Sequence, residues 1–394
     1  MLGNFVSGLG TQAALVALPY QVYVQTESAL LTGLLGAVEL GPLVAMALLG
    51  GALADRSDRR RLLLFDQIGL VAVAAALCAA ALSGEPHVGL LFVLAGLLAG
   101  FGALQNVVRS AIVPNLVARE DMPAALAVNF GLYQLTMVLG PGLGGLLIAA
   151  AGVEAAYAAD AVSCLAMVGA VWALSPQVPQ VAGERLSIGR SIAEGLRFVR
   201  RSPALLGSFA IDLSAMSFGM PRALFPVLAI SVYGAGASGT GLLFASVSAG
   251  AVVAALTTRW LDRVRKLGRV TIAAVCAWGL AIAAVGLVES LWAAAALLAL
   301  AGAADSVSAV CRSVINQTVT PDELRGRMSS VFSLVVTSGP RLGDVEAGAV
   351  ASLTSPRFSV VSGGLACVVC AGLVVAAFPA LARYDKEEAL ATLG

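Results

Sequence analysis

Long apolar runs alternate along the chain with short polar segments. A membrane-spanning helix needs roughly 20 mostly apolar residues, and the runs have about this length. Splitting them at charged residues and at clusters of Gly, Pro and Ser predicts twelve spanning helices and an all-α integral membrane fold. The predicted spans cover residues 2–24, 29–53, 62–83, 88–113, 123–150, 154–174, 203–232, 239–260, 269–288, 291–315, 326–353 and 357–380.

The basic residues mark one side of the predicted membrane. Of the 24 Lys and Arg residues, 19 follow even-numbered spans, Arg357 lies on the opposite side, and four lie within spans. Because cytoplasmic loops carry an excess of Lys and Arg, both termini and the long central loop are expected in the cytoplasm. The chain is therefore predicted to be a multi-pass protein of the cell inner (cytoplasmic) membrane, with the lipid bilayer around it.

The central loop divides the chain into halves of nearly equal length. Apolar residues at 188, 192, 196 and 199 share one helical face and predict an amphipathic helix along the cytoplasmic interface. The predicted domains are an N-terminal six-helix bundle (1–174), a cytoplasmic linker with this helix (175–202), a C-terminal six-helix bundle (203–380) and a cytoplasmic tail (381–394).

Short motifs recur in the same order in both halves. Arg-Ser-x-Ile occurs at 109–112 and 312–315, Gly-Pro-x-Leu-Gly occurs at 140–144 and 339–343, and an Asp-Arg pair follows spans 2 and 8. The nearly constant spacing predicts two six-span halves in parallel orientation. Such a duplication places a binding cavity between the halves, near the middle of the bilayer.

The composition excludes several classes of function. The chain is 59% hydrophobic and 12% charged, against about 25% charged residues in soluble domains, and its net charge is +1. It therefore lacks the basic surface that a nucleic-acid partner requires. With His87 as the sole histidine and every cysteine in an apolar run, we expect no metal site, no cofactor and no catalytic residues. The Cys367/Cys370 pair lies inside a span, and no second pair completes a metal site.

The loop between spans 2 and 3 combines a glycine, an acid and several arginines. A close helix approach with fixed charges can latch helix ends together on the cytoplasmic side. The segment 51–61 resembles motif A of the major facilitator superfamily, with Asp58 in place of the usual glycine; the alternative is a simple basic anchor. The resemblance implies a gating role for Gly51, Asp55, Arg56, Arg59 and Arg60.

Span 5 carries a glycine-rich motif around a proline. Pro141 removes a backbone hydrogen bond, and the glycines allow close helix packing, which alone could explain the pattern. The motif resembles motif C of exporters in the same superfamily, through Gly140, Pro141, Gly144 and Gly145. The arginine of motif B in drug/proton antiporters is missing, because Gly96 stands at its place.

Further segments resemble the enterobactin-exporter branch of this superfamily, which neighbours macrolide efflux proteins. They are residues 3–7 (Gly-Asn-Phe-Val-Ser), 17–23 (Ala-Leu-Pro-Tyr-Gln-Val-Tyr) and 156–161 (Ala-Tyr-Ala-Ala-Asp-Ala). The resemblance implies an antiporter that exports a small molecule, a siderophore or an amphipathic drug, against protons by alternating access. Import or lipid flipping on the same fold stays open. A membrane-embedded enzyme or a sensor is a more distant alternative.

Charged side chains inside the predicted spans are costly and indicate function. The arginines expected to form ion pairs or gates are Arg109, Arg222, Arg312 and Arg341. Asp305 and Arg312 share a helix face, and Arg341 and Asp344 are three residues apart, so each pair can interact. Six acids inside the predicted spans outnumber these four arginines, namely the four proton-coupling candidates together with Glu346 and Asp160. The proton-coupling candidates are Asp212, Glu39, Asp305 and Asp344.

Asp212 and Glu39 lead these candidates, because neither has a basic residue within four positions along its span. Either acid could instead stay neutral and form a hydrogen bond between helices. Most buried charge lies in the second half, so we expect the coupling chemistry there. The family resemblance implies a cavity lined by spans 1, 4, 7 and 10 in a monomer. Contact candidates, each of which could equally be a packing residue, are Tyr20, Gln21, Asn106, Phe218 and Phe225.

Overall fold

A computed structural model describes residues 2–116, 120–175, 188–321 and 324–387, and every regular element in these ranges is helical. The α-helices are α1 (Leu2–Thr26), α2 (Ala29–Arg56), α3 (Arg59–Leu82), α4 (Val88–Leu116), α5 (Met122–Trp172), α6 (Ile188–Arg201), α7 (Pro203–Phe218), α8 (Leu224–Val227), α9 (Gly236–Thr257), α10 (Leu267–Val285), α11 (Leu291–Val319), α12 (Arg325–Leu353), α13 (Pro356–Ala377) and α14 (Pro379–Arg383). A short π-helix, Leu228–Val232, continues α8, and a 3₁₀ helix, Thr258–Arg263, continues α9.

Helix occupies each of the predicted spans. Among the described residues, eight helical segments are long and apolar enough to cross a membrane. One of them, Ala124–Trp172, is 49 residues long and covers two predicted spans. The all-α membrane architecture predicted from the apolar runs is therefore confirmed.

A single residue divides α5 into two arms. Gly152 has a φ of +83°, a conformation that glycine adopts readily and other residues rarely adopt. A Cβ at this position would also meet the Glu154 carboxylate. The first arm (122–151) and the second arm (153–172) therefore join without a loop, at the predicted boundary between spans 5 and 6.

The predicted span 203–232 is not one continuous helix, which corrects the sequence expectation. It breaks between α7 and α8, around Gly219 and Pro221. Proline has no backbone N–H to continue the helical ladder. The N–H of Arg222 donates to the carbonyl of Met220, and the N–H of Leu224 donates to the carbonyl of Pro221. At the break these two N–H groups therefore form hydrogen bonds within the turn, and the segment between α7 and α8 is not helical.

Contacts divide the chain into two compact units. Unit 1 comprises Met1–Arg185 and Phe225–Ala245, and unit 2 comprises Leu186–Leu224 and Ser246–Gly394. The limits 1–174, 175–202, 203–380 and 381–394 remain a prediction, as does the interfacial position of the linker helix. Within unit 2, α6 packs on α7 and α12, and its Val199 is buried.

Small residues allow the helices in each unit to pack closely. In unit 1, α1 lies against α5, and a Cβ on Gly144 would stand 2.7 Å from the Ala13 Cα. In unit 2, α7 lies against α12, and a Cβ on Gly343 would meet the carbonyl oxygen of Met216. The repeated glycine motifs therefore lie at the contact of α5 with α1 in unit 1 and of α12 with α7 in unit 2. Small residues at such contacts let the helix backbones approach closely.

Candidate functional site

The most buried ionic cluster lies in unit 2. Arg312 of α11 forms an ion pair with Asp212 of α7, and its Nη2 lies 3.6 Å from Oδ1 of Asp305. The side chains of Arg312 and Asp212 are 4% and 3% exposed, whereas that of Asp305 is 34% exposed. One guanidinium thus bridges a deeply buried carboxylate and a more accessible one.

The cluster is not saturated with hydrogen bonds. Asp212 Oδ2 and Arg312 Nε are buried without a hydrogen-bond partner, and so is the hydroxyl of Ser308, on α11 between Asp305 and Arg312. Unsatisfied buried polar groups are costly, so such a set is sensitive to the gain or loss of one proton.

The pairing changes the interpretation of Asp212. It has no basic residue nearby along its own helix, yet Arg312, 100 residues away in sequence, contacts it. Asp212 is thus paired through a neighbouring helix, which periodicity along its own helix does not show, and its role in proton coupling stays a prediction. The predicted approach of Asp305 and Arg312 is observed.

A second cluster of charged side chains lies at the break between α7 and α8. Oδ1 of Asp344 in α12 accepts a hydrogen bond of 2.9 Å from the N–H of Ala223. Arg222 and Arg341 both interact electrostatically with this carboxylate. Asp344 therefore holds the irregular segment to α12, with two cations near it.

Unit 1 contains buried acids that the sequence did not single out as proton sites. Asp66 in α3 and Asp160 in the second arm of α5 are 0% exposed. Nε2 of Gln67 donates to Asp66 at 3.3 Å, and the Thr11 hydroxyl contacts Asp160 at 3.0 Å. Glu39, the predicted candidate, is half-buried in α2. Asp66 was detectable as an acid inside a predicted span, and Asp160 as an acid inside the motif 156–161.

Arg109 and its repeat counterpart have different surroundings. Nη2 of Arg109 in α4 donates to Oδ1 of Asn129 in α5 at 3.4 Å, and the side chain is half-buried. Arg312, at the matching position of the second half, contacts two carboxylates. The same motif thus places its arginine against an uncharged amide in unit 1 and against two carboxylates in unit 2.

The structure explains the departure from motif A. Asp58 is the N-cap of α3, and its Oδ1 accepts a 2.9 Å hydrogen bond from the N–H of Arg60. The Arg60 guanidinium donates to the carbonyl oxygens of Val171 and Trp172 at the end of α5. Gly51 lies in α2, Arg59 begins α3, and the side chains of Asp55 and Arg56 lie outside those that the structure describes. The gating role of the motif stays a prediction.

The motif C glycines lie at close helix contacts in unit 1. A Cβ on Gly140 would stand 2.5 Å from the Gln12 Cβ, and one on Gly145 would stand 2.7 Å from the Gly241 Cα. Pro141 lies inside α5, and its carbonyl oxygen would be 2.6 Å from a Cβ on Gly241. The motif therefore packs the first arm of α5 on both α1 and α9.

The predicted cavity residues lie in different surroundings. Gln21 is buried and accepts a 2.8 Å hydrogen bond from the Tyr157 hydroxyl, and Phe225 is buried edge-to-face against Phe244 at 4.9 Å. Tyr20 and Phe218 are half-buried and Asn106 is exposed. Among the described residues no group of three or more His, Cys, Asp or Glu side chains could hold a metal ion.

Sequence comparisons match nearly the whole chain to a known protein family. A family model described as "transmembrane secretion effector" matches residues 1–392. The enterobactin exporter EntS of Shigella boydii is 29% identical over 395 residues, which cover 98% of this chain and 92% of that protein. The enterobactin exporter EntS of Salmonella typhi is 28% identical over 403 residues, covering 100% and 94%.

Solved structures with a similar fold come from membrane transporters. The nucleoside transporter NupG matches with a TM-score of 0.75 at 12% identity, over 97% of this chain and 98% of that one. A bacterial homologue of the iron transporter ferroportin, in its inward-facing state, matches with a TM-score of 0.69 at 17% identity, over 96% and 97%. At these identities the likeness concerns the fold alone.

Proposed function

Because this chain belongs to the transmembrane secretion effector family, within the major facilitator superfamily, we propose that it exports a small organic molecule in exchange for protons. The chain is a multi-pass membrane transporter with relatives named as exporters. The proposed cargo is a siderophore or an amphipathic drug, and the proposed mechanism is alternating access. Full-length similarity to two enterobactin exporters supports export and favours the siderophore.

The observation that carries proton coupling is the buried bridge of Arg312 to Asp212 and Asp305. A proton on Asp212 removes the negative charge that holds Arg312 toward α7. Arg312 then interacts with Asp305 alone, on its own helix. Protonation of one buried carboxylate therefore weakens the contact between α7 and α11, which is the kind of change that an alternating carrier requires.

The exchange follows from the two states of this bridge. When Asp212 is ionised, Arg312 is paired with both Asp212 and Asp305. When Asp212 is protonated, Arg312 keeps its ion pair with Asp305 and loses the one with Asp212. Protons that enter down their gradient drive the change in one direction, and release of the cargo on the far side completes the cycle. Asp344 and Glu39 are secondary proton sites in this proposal. Arg222, Arg341 and Arg109 act as ion-pair or gating residues.

The proposed setting is the inner membrane of a bacterium, with both termini in the cytoplasm and the protein acting as a monomer. The asymmetric distribution of basic residues supports this orientation. In that orientation the Asp58 cap and the Arg60 contacts lie at the cytoplasmic ends of α3 and α5, where the proposed latch acts.

Transport into everted membrane vesicles tests this function. The two probes are a fluorescent amphipathic cation and a labelled catecholate siderophore, with an inside-acid pH gradient imposed and then collapsed by an ionophore. Export predicts that one of them accumulates and that collapse of the gradient ends its accumulation. Vesicles without the protein are the background control.

The outcomes separate direction, coupling and cargo. Accumulation that survives collapse of the gradient would contradict proton coupling. Accumulation found only in right-side-out vesicles would indicate import. If neither probe accumulates in everted or in right-side-out vesicles, the proposed cargo classes are wrong.

A further inference from the structure

A polar network that contains no cation joins α1 to the second arm of α5. Asp160 is at its centre and is 0% exposed. Its Oδ1 lies 3.0 Å from the Thr11 hydroxyl oxygen and 3.5 Å from Sγ of Cys164. Sγ of Cys164 lies 3.6 Å from the Ser7 hydroxyl, which leads back to α1. Two polar side chains therefore contact the buried carboxyl group, and Ser7 joins the network through Cys164.

The hydrogens in this network can be counted. The Thr11 hydroxyl oxygen lies 3.1 Å from the carbonyl oxygen of Ser7 and 3.0 Å from Oδ1 of Asp160. A threonine hydroxyl has one hydrogen but two lone pairs, so it cannot donate to both acceptors. If Asp160 carries a proton, it can donate to the Thr11 oxygen while Thr11 donates to Ser7. Both contacts are then hydrogen bonds.

The charge in the surroundings points the same way. Asp160 Oδ2 is buried without a hydrogen-bond partner, and no Lys or Arg among the described residues contacts the carboxyl group. A buried carboxylate without a counter-ion is strongly unfavourable, and such a group becomes neutral instead. Asp160 thus differs from Asp212, which has Arg312 beside it.

The neighbouring helices supply no compensating charge. The part of α1 that faces Asp160 offers Ser7 and Thr11, and the titratable residues of α1, Tyr20 and Tyr23, lie more than two turns beyond Thr11. On its own arm, Cys164 is the titratable neighbour in contact. From α3, neither Asp66 nor Cys78 makes a polar contact with Asp160.

The backbones approach closely at this point. A Cβ on Gly10 would stand 2.8 Å from the Cα of Asp160 and would also meet the Ser163 hydroxyl. The glycine therefore lets α1 pass directly over Asp160, and no side chain separates the two helices there. A negative charge at Asp160 would therefore arise where the two helix backbones lie in close contact.

We propose that Asp160 is a proton-binding site of unit 1, that it carries its proton in this conformation, and that the proton holds α1 against the second arm of α5. Dissociation breaks the carboxyl O–H bond and transfers H⁺ to water that enters as the two helices separate. The role of this step in transport rests on the proposed function, while the protonation itself does not.

Infrared spectroscopy of the full-length protein in nanodiscs tests the protonation directly. The pH is varied, and spectra of the wild type are compared with those of Asp160→Asn, a neutral side chain of nearly the same shape. We expect the wild type to show a protonated-carboxyl C=O band at neutral pH that disappears at higher pH and is absent from the variant. The same band must persist in Asp66→Asn, the matched control for a buried acid of unit 1.

Thr11→Val provides a second variant that leaves the acid in place. It removes the oxygen that accepts the Asp160 proton, so the band is expected to shift in frequency without being lost. Identical carboxyl bands in the wild type and Asp160→Asn throughout the pH range would overturn the proposal. If Asp160→Asn does not fold, an unshifted band in Thr11→Val would overturn it equally.

The transport readout separates this proposal from the general function. We expect Asp160→Asn to exchange cargo across the membrane without a gradient but to lose gradient-driven accumulation. Full gradient-driven accumulation in Asp160→Asn would overturn the role of Asp160 in coupling. An Asp160 band together with wild-type transport that ignores the pH gradient would overturn the proposed function and uphold the proton site.

Discussion

Unit 1 and unit 2 bury acidic side chains in contrasting ways. In unit 2, Asp212 lies against Arg312, which also reaches Asp305, so that two acids share one guanidinium. In unit 1, Asp160 contacts only hydroxyl and thiol groups, and Asp66 accepts a hydrogen bond from its neighbour Gln67. Both units bury acids, and among the described residues the buried acid with a cation in contact is Asp212 of unit 2.

The contrast shows how a duplicated fold can divide its chemistry. A buried ion pair depends on both partners, since loss of one leaves an uncompensated charge. A neutral hydrogen-bond network contributes less per bond and tolerates conservative changes. We therefore expect the stability of unit 2 to depend more strongly on single charged side chains than the stability of unit 1 does.

The largest effect is expected for Arg312→Ala. It leaves Asp212 buried without a counter-ion, and breaking a buried pair in this way costs about 3–5 kcal/mol of unfolding free energy. The measurement is thermal or denaturant unfolding in nanodiscs. Arg312→Lys, which keeps a positive charge, is the matched control and should recover part of the loss.

A double variant makes this prediction sharper. Arg312→Leu combined with Asp212→Leu removes both members of the buried pair and should be more stable than Arg312→Ala alone, because only the more exposed Asp305 then loses its partner. Equal stability of the wild type and Arg312→Ala would mean that the pair contributes nothing, and the contrast between the units would disappear.

Asp212→Asn is expected to abolish pH-gradient-driven transport while leaving cargo exchange without a gradient. It removes the ionisable group but keeps the size and shape of the side chain. Asp305→Asn is the matched control, with a smaller expected effect, because Asp305 lies 3.6 Å from Arg312 and is 34% exposed, whereas Asp212 is 3% exposed. Normal gradient-driven transport by Asp212→Asn would remove this residue from the mechanism.

Glycine substitutions test what the two units share. Gly144→Ala and Gly343→Ala each force a methyl group against a facing backbone, at Ala13 and Met216 respectively. Overpacking of this kind typically costs about 1–3 kcal/mol, and we expect similar losses of unfolding free energy in both units.

Gly142→Ala is the control within motif C. The nearest atom to its added Cβ would be the Ala245 Cβ at 3.7 Å, an ordinary contact. Its unfolding free energy should match that of the wild type. Because alanine forms helices better than glycine, a loss as large as that of Gly144→Ala would contradict close packing as the reason for the difference between the two positions.

The smallest effect is expected for Tyr157→Phe, which removes the hydrogen bond to Gln21 between α5 and α1. A neutral hydrogen bond contributes about 1 kcal/mol, several times less than the buried pair of unit 2. The measurement is the same unfolding experiment, with Tyr133→Phe as the control, because that side chain is exposed. A loss equal to that of Arg312→Ala would contradict the proposed difference between the units.

The sequence predicts the helices well because their positions depend on local apolar runs. It also predicts that Asp305 and Arg312 meet, since a separation of seven residues puts both on one helix face. The contact of Asp212 with Arg312 depends on the packing of α7 against α11, which no local pattern specifies.

The acids of unit 1 illustrate a second limit of the sequence. Asp160 lies within the predicted span 154–174, and the structure buries it under Gly10 of α1. Asp66 follows the arginines of motif A closely, so it is easily grouped with a polar helix end. The sequence gives the position of an acid along its span. Whether other helices enclose that acid is seen only in the tertiary structure. The roles of all these residues in transport remain predictions.

The loopless junction at Gly152 has a practical consequence for topology mapping. An epitope tag or protease site inserted there would have to force apart two helices that join through one residue with a φ of +83°. The exposed turn at Gly84, where a Cβ would meet nothing within 4 Å, offers room for such an insertion between α3 and α4. Antibody binding to a tag at Gly84 in spheroplasts, from which the outer membrane has been removed, would therefore report which face of the membrane this side of the protein occupies.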